Sequence, residues 1–213
     1  MDIENIRPQD IERRSMEIIE AEMGDISHLS EAEKPVVKRV IHATADFDYL
    51  ENMRFSPEAC ENAFHILKSG AVLVTDTKMA LAGISKPAAE ALGLSLACFM
   101  SDTDVAKAAK EQGCTRAAAS MEKAFRLYGD RPLVFAIGNA PTALIQIARY
   151  IREGKGKPAL VIGVPVGFVN VVQSKELIME CDVPYIVAAG RKGGSTVAAA
   201  ICNALLYQIY DRE

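Results

Sequence analysis

The 213-residue chain is 50% hydrophobic and 24% charged, with a formal net charge of −4, enough for one domain (1–213) with a substantial core. The acidic balance argues against a nucleic-acid partner, which needs a basic stripe, but leaves room for an anionic small ligand held by local arginines. Five scattered cysteines with no C-x-x-C pair fit reduced thiols in the cytoplasm better than a disulfide framework or a zinc site.

In chain order, the opening Met1-Asp2-Ile3-Glu4-Asn5 is acidic and carries no apolar signal core. No unbroken apolar run reaches bilayer-spanning length, so a soluble, cytoplasmic protein without a membrane partner is expected. Pro8, Ile11, Ile18, Ile19 and Met23 predict a helix over 9–23, with Ser15 one turn after Ile11 and Arg13 and Arg14 beside it. Ser30-Glu31-Ala32-Glu33 is a capping box. The helix it opens runs through Val36, Val37, Val40 and Ile41 to His42.

The octet Arg39 to Asp46 gathers a guanidinium, an imidazole, the Thr44 hydroxyl and a carboxylate. Arg39 precedes His42 by three residues, so the two share a helical face. His28 and His65 are the only other histidines. A lone histidine in a helix is commonly structural, so the octet alone does not decide for catalysis. Phe47 to Phe55 alternates weakly and reads as an extended segment or edge strand, and Ser56-Pro57 predicts a helix start closed at Gly70.

From Ala71 onward, short apolar runs at 71–75, 94–100, 133–137, 159–162 and 185–188 alternate with helical segments near 79–92, 104–112, 116–128, 142–153, 171–180 and 196–210. Gly83 and Pro87 interrupt the first of these helices. Alternation with wholly apolar strands predicts an α/β fold with a parallel sheet buried on both faces. Five strands suit a flavodoxin-like doubly wound sheet with an N-terminal helical extension, and are too few for an eight-stranded barrel.

Ligands of such sheets bind beyond the carboxyl ends of the strands. That rule gathers the loops 76–78, 101–104, 138–142, 163–168 and 190–195 into one region. Gly138-Asn139 and Gly190-Arg191-Lys192-Gly193-Gly194-Ser195 are expected to turn backbone amides toward an anion, the second as a flexible, basic cradle. Tight strand-to-helix turns favour the same residues without any ligand. Gly154-Lys155-Gly156-Lys157-Pro158-Ala159 matches a dinucleotide fingerprint in letters, but follows a helix and precedes a strand, the reverse of what that fingerprint needs. No Walker loop, nucleophile elbow or metal-ligand cluster occurs.

Three motifs, Ile137-Gly138-Asn139-Ala140-Pro141-Thr142-Ala143-Leu144, Val164-Pro165-Val166-Gly167-Phe168-Val169 and Gly190 to Ser195, resemble the precorrin-8X methylmutase family of cobalamin biosynthesis. So do Arg39-Val40-Ile41-His42 and Arg13-Arg14-Ser15-Met16, and the likeness runs in order over essentially the whole chain. The resemblance implies a flavodoxin-like, homodimeric isomerase with its site near the subunit interface. It implies that a methyl group moves from C-11 to C-12 of a tetrapyrrole polycarboxylate, precorrin-8X or cobalt-precorrin-8, giving hydrogenobyrinic or cobyrinic acid. It places the catalytic role on His42 and substrate binding on Ser15 and Arg39. Arg116 also matches a family position, whereas some relatives carry an uncharged residue where Lys192 stands. Thr44 and Asp46 carry over no role.

A pericyclic methyl shift demands no protein nucleophile and no redox cofactor, so none is expected, and any cobalt belongs to the substrate. The protein must hold a flexible polyanion and move a proton, which an imidazole can do near neutral pH. Arg39, Arg116 and Arg191 can each take a substrate carboxylate with a planar fork, joined by Ser15, Gly138 and Asn139. Two other readings share the fold: a non-catalytic corrinoid carrier and a flavodoxin-like nucleotide-binding module.

Overall fold

Val72–Thr75, Leu133–Ile137 and Leu160–Gly163 have no exposed residue, as strands covered on both faces require. The computed structural model describes residues 3–210, and residues 1, 2 and 211–213 lie outside it. After a 3-10 turn at Pro8–Asp10 come α1 (Ile11–Glu22), α2 (Glu33–Thr44), α3 (Tyr49–Asn52), β1 (Met53–Phe55), α4 (Ala59–Lys68), β2 (Val72–Thr75), α5 (Lys78–Gly83), α6 (Lys86–Ala91) and β3 (Ser95–Ala97). Then follow α7 (Thr103–Gln112), α8 (Arg116–Tyr128), β4 (Leu133–Ile137), α9 (Pro141–Arg152), β5 (Leu160–Gly163), α10 (Val171–Met179), β6 (Tyr185–Ala188) and α11 (Ser195–Tyr207).

The sheet runs β1-β6-β5-β4-β2-β3. Its five parallel strands, numbered among themselves and read from the β3 edge, follow the flavodoxin-like order 2-1-3-4-5. The sixth strand is the edge-strand alternative for 47–55, confined to its last three residues. β1 lies antiparallel on the β6 edge, with Met53 opposite Ala188 and Phe55 opposite Ile186. Ser56 prolongs that pairing instead of capping a helix: its amide donates to the Tyr185 carbonyl at 3.0 Å, and its Oγ accepts from the Tyr185 amide at 3.0 Å. α4 therefore starts later, after Glu58 in a left-handed conformation (φ 54°).

Alternate strand residues feed two cores. Leu73, Val134, Ala136 and Ile162 face a layer holding α1, α2, α4, α5, α6 and α11. Val72, Val74, Phe135 and Val161 face α7, α8, α9 and α10. α11 buries nine residues, from Val197 to Leu206, because it lies on the sheet and carries α2 on its outer side. Val36, Val37, Val40 and Ile41 of α2 are at most 1% exposed, and each such side chain contributes about 1.5–3 kcal/mol when fully buried. The Ser30 capping box is formed: the Ser30 amide donates to Glu33 Oε2 at 2.9 Å, and the Glu33 amide to Ser30 Oγ at 3.3 Å. The apolar side of α2 is thus fixed inward, and Arg39 and His42 are left on its outer face. The helix predicted over 79–92 divides at Ser85, whose Oγ accepts the Ala88 amide of α6.

Candidate active site

Arg39, His42 and Ala43 occupy positions i, i+3 and i+4 of α2 and open onto one cleft of about 320 Å³. Met79 and Gly83 of α5 and Thr196, Ala199, Ala200 and Asn203 of α11 complete its walls. The floor is built from small residues because α5 and α11 touch there: a Cβ on Gly83 would sit 2.8 Å from the Ala199 Cβ. Asn203 is committed to structure, its Oδ1 accepting from the Ser85 amide and its Nδ2 donating to the Gly83 carbonyl, both at 2.8 Å. Met79, 68% exposed, forms an apolar rim. His42 is exposed at the cleft mouth, where its ring can reach a bound molecule.

Arg39 is mounted rather than free. Its Nη1 donates to Glu12 Oε1 of α1 at 2.8 Å, and its guanidinium stands 5.4 Å from the ring centre of Tyr207 on α11. Ser15 lies three residues beyond Glu12 on α1 and does not line the cleft. Its hydroxyl donates to the Ile11 carbonyl at 2.9 Å, which leaves lone pairs able only to accept.

The strand-end loops require a correction. The amides of Gly138 and Asn139, expected to face a ligand anion, donate instead to the protein's own Asp76, at 2.9 Å each, and Ala140 joins them at 2.6 Å. Asp76 is fully buried at the end of β2. Burial pushes its carboxyl pKa upward, and the three amide donors oppose that shift. Gly138 has a steric reason as well, since a Cβ there would come within 2.7 Å of the Gly194 carbonyl oxygen. Any part it plays toward a ligand does not run through its amide. The Asn139 side chain remains on an exposed residue.

The loop 190–195 is held rather than loose. The buried Lys175 ammonium donates to the Gly190 and Lys192 carbonyls at 2.8 Å each, and the Gly194 amide donates to the Val164 carbonyl at 2.8 Å. Lys192 donates to Asp46 and Asp48 at 2.6 Å each, which ties this loop to the end of α2. Arg191 is exposed and lies 5.4 Å above the ring of Phe168, itself 81% exposed. Arg116, the first residue of α8, is exposed and belongs to the opposite helical layer. The Thr115–Thr142 hydroxyl contact at 2.8 Å nevertheless brings it to the sheet edge where β4 ends.

Of the residues expected from the sequence, Arg39 and His42 therefore share one cleft. Ser15, Arg116, Arg191, Gly138 and Asn139 do not line it. The sequence reading missed Glu12, Met79 and Asp76. Asp76 left one signal, a carboxylate directly after the apolar run 71–75, in the 76–78 loop already placed in the ligand region. Among the described residues, no group of three His, Cys, Asp or Glu side chains gathers as metal ligands.

Fold and cleft together define a flavodoxin-like α/β protein that presents an imidazole and a guanidinium to one open site, equipment for acid–base work on an anionic molecule. The sequence profile of precorrin-8X methylmutase matches residues 10–208. The cobalt-precorrin-8 methylmutase of Leptospira interrogans is 45% identical over 93% of this chain and 92% of its own. The precorrin-8X methylmutase of Pseudomonas aeruginosa is 38% identical over 92% of this chain and 94% of its own. The crystal structure of the Thermus thermophilus precorrin-8X methylmutase superposes with a TM-score of 0.83 at 38% identity, covering 92% of this chain and 96% of that one. The chain belongs to the precorrin-8X methylmutase family.

Proposed function

We propose that this protein is an isomerase of cobalamin biosynthesis that moves a methyl group from C-11 to C-12 of a corrin precursor, with cobalt-precorrin-8 as its preferred substrate and cobyrinic acid as product. The observation that carries the reading is the pairing of His42 and Arg39 on one face of α2, opening onto one cleft, in a chain of this family. The preference for a cobalt-bearing substrate rests on relatives, since those from Leptospira interrogans and Priestia megaterium, 45% and 44% identical, are both cobalt-precorrin-8 methylmutases. The cobalt travels with the substrate, and no resident cofactor enters the scheme.

In this scheme the C-11 to methyl bond breaks as the C-12 to methyl bond forms. His42 lends a proton to the ring C region as the methyl group leaves C-11 and recovers one as product forms, because an isomerisation leaves the proton count unchanged. Arg39 anchors one peripheral carboxylate beside the reacting ring. Ser15, Arg116 and Arg191 serve more distant side chains of the substrate, together with the exposed Asn139. The working form is a cytoplasmic homodimer, a reading supported by the apolar side chains of Met79, Val166, Phe168 and Val169, all exposed in the single chain. Sedimentation of the purified protein tests the dimer.

Turnover is tested by mixing the protein separately with cobalt-precorrin-8 and precorrin-8X and following the visible spectrum. Progressive conversion, faster with the cobalt substrate, is the expected result. An immediate spectral shift with no later change would identify a carrier instead.

A further inference from the structure

Glu12 and Arg39 are 27 residues apart and on different helices, yet their side chains meet at 2.8 Å. Each lies three residues before a residue assigned to the substrate: Glu12 before Ser15 on α1, and Arg39 before His42 on α2. Residues at that spacing share a helical face. The bridge therefore sets the register of two faces that must serve one molecule. The apolar hold on α1 is small, with Ile19 buried within the helix, Met16 partly so and Met23 buried at its end. The one other ion pair between the two helices, Glu20 with Lys38 at 3.1 Å, lies two turns further along α1.

The Arg39 side chain is 22% exposed and that of Glu12 50%. Glu12 takes a hydrogen bond from one end of the guanidinium, and the Tyr207 ring lies against it at 5.4 Å. Five N–H donors sit on that fork, so a substrate carboxylate can be received without displacing Glu12. An arginine already held on two sides loses little rotamer freedom on binding, whereas a free one loses much.

We infer that Glu12 is a positioning residue for the reaction: with Tyr207 it holds Arg39 in its receiving geometry, and through the same bond it sets Ser15 beside the cleft. The inference rests on the substrate-anchoring role proposed for Arg39. Glu12→Gln keeps the shape and removes the charge, and Glu12→Asp keeps the charge on a shorter stem.

The test measures product affinity, KM and kcat for Glu12→Gln, Glu12→Asp, Arg39→Leu and the double variant Glu12→Gln/Arg39→Leu. Glu12→Gln weakens product binding and raises KM by roughly tenfold, with kcat changed by less than about twofold. Glu12→Asp recovers part of the loss. The double variant binds no more weakly than Arg39→Leu alone, because Glu12 acts through Arg39. Unchanged or tighter binding by Glu12→Gln overturns the inference, the latter showing a carboxylate that competes with substrate. Independent, additive losses in the double variant also overturn it. If Arg39→Leu itself binds product normally, the anchoring role of Arg39 fails, and this inference with it.

Discussion

Lys192 holds Asp46 at 2.6 Å across 146 residues of chain. The contact, shared with Asp48 at 2.6 Å, fastens the loop after β6 to the turn that ends the His42 helix. Ala45 makes that turn possible by adopting a left-handed conformation, φ 53°, which is costly for a residue with a Cβ. Asp46, which has no assigned part in the chemistry, thus gains a structural one. The hydrogen bond from Lys192 lowers the Asp46 pKa, and the two carboxylates raise that of Lys192 to about 12.

Replacing Lys192 by alanine should therefore reduce kcat/KM by roughly tenfold through misplacement of His42 and Arg191, while Lys192→Arg retains most activity. The lowered Asp46 pKa makes its share of the clasp fail only in acid, as pH falls through the folded value. The raised Lys192 pKa makes its share fail only as pH rises toward about 12. Activity loss in Lys192→Ala should accordingly be the same at pH ~6 and ~9. Wild-type kcat/KM in Lys192→Ala would remove the clasp from the account.

Asp76 is the keystone of the β4–α9 turn. Asp76→Ala strips three amides of their acceptor, that of Gly138 buried and those of Asn139 and Ala140 partly so, and a buried orphaned donor costs about 1–3 kcal/mol. Urea unfolding should show a loss of about 2 kcal/mol or more. A loss below about 1 kcal/mol would mean that water replaces the carboxylate at no cost.

Lys175 gives a pH signature. Burial lowers its pKa from 10.5 to about 8. Between those values the unfolded chain holds the proton and the folded chain does not, so this group makes stability rise with pH across that window and adds no slope below it. The size of the shift corresponds to about 3 kcal/mol. Urea titrations of wild type and Lys175→Met should diverge in the wild type's favour from pH ~8 to ~10.5. A pH-independent difference would contradict the assignment.

The thiols should react in a fixed order. Burial pushes Cys60 and Cys202 up to about 12, whereas Cys114 is exposed, and the thiolate is the reacting form. A thiol reagent on the native protein should modify Cys114 first and reach Cys60 and Cys202 only on unfolding, as peptide mapping would show. Early labelling of Cys202 would mean that α11 opens locally.

What the sequence reveals here is mostly what is local. The Ser30–Glu33 box joins residues three apart, and the strands of the parallel sheet show as apolar runs because both their faces are covered. β1 is legible only as the edge-strand alternative for 47–55, and its shrinkage to Met53–Phe55 after the turn of α3 is set by pairing with β6, far along the chain. The same limit applies at the site. Arg39 and His42 share a helix turn and are legible together, while the partners that hold the machinery are remote. Glu12 reaches Arg39 over 27 residues, Asp76 reaches Gly138 over 62, and Lys192 reaches Asp46 over 146. The amides of Gly138 and Asn139 look like an anion site because they are one, filled from within the chain.

In the proposed mechanism His42 moves the proton while other groups hold the substrate. The most direct measurement compares His42→Ala with wild type in single-turnover conversion of cobalt-precorrin-8 and in affinity for the product. The expected result is a rate lowered by at least about a hundredfold, with product affinity kept within about threefold. A variant that turns over at close to the wild-type rate, or one whose whole defect is lost binding, would contradict it.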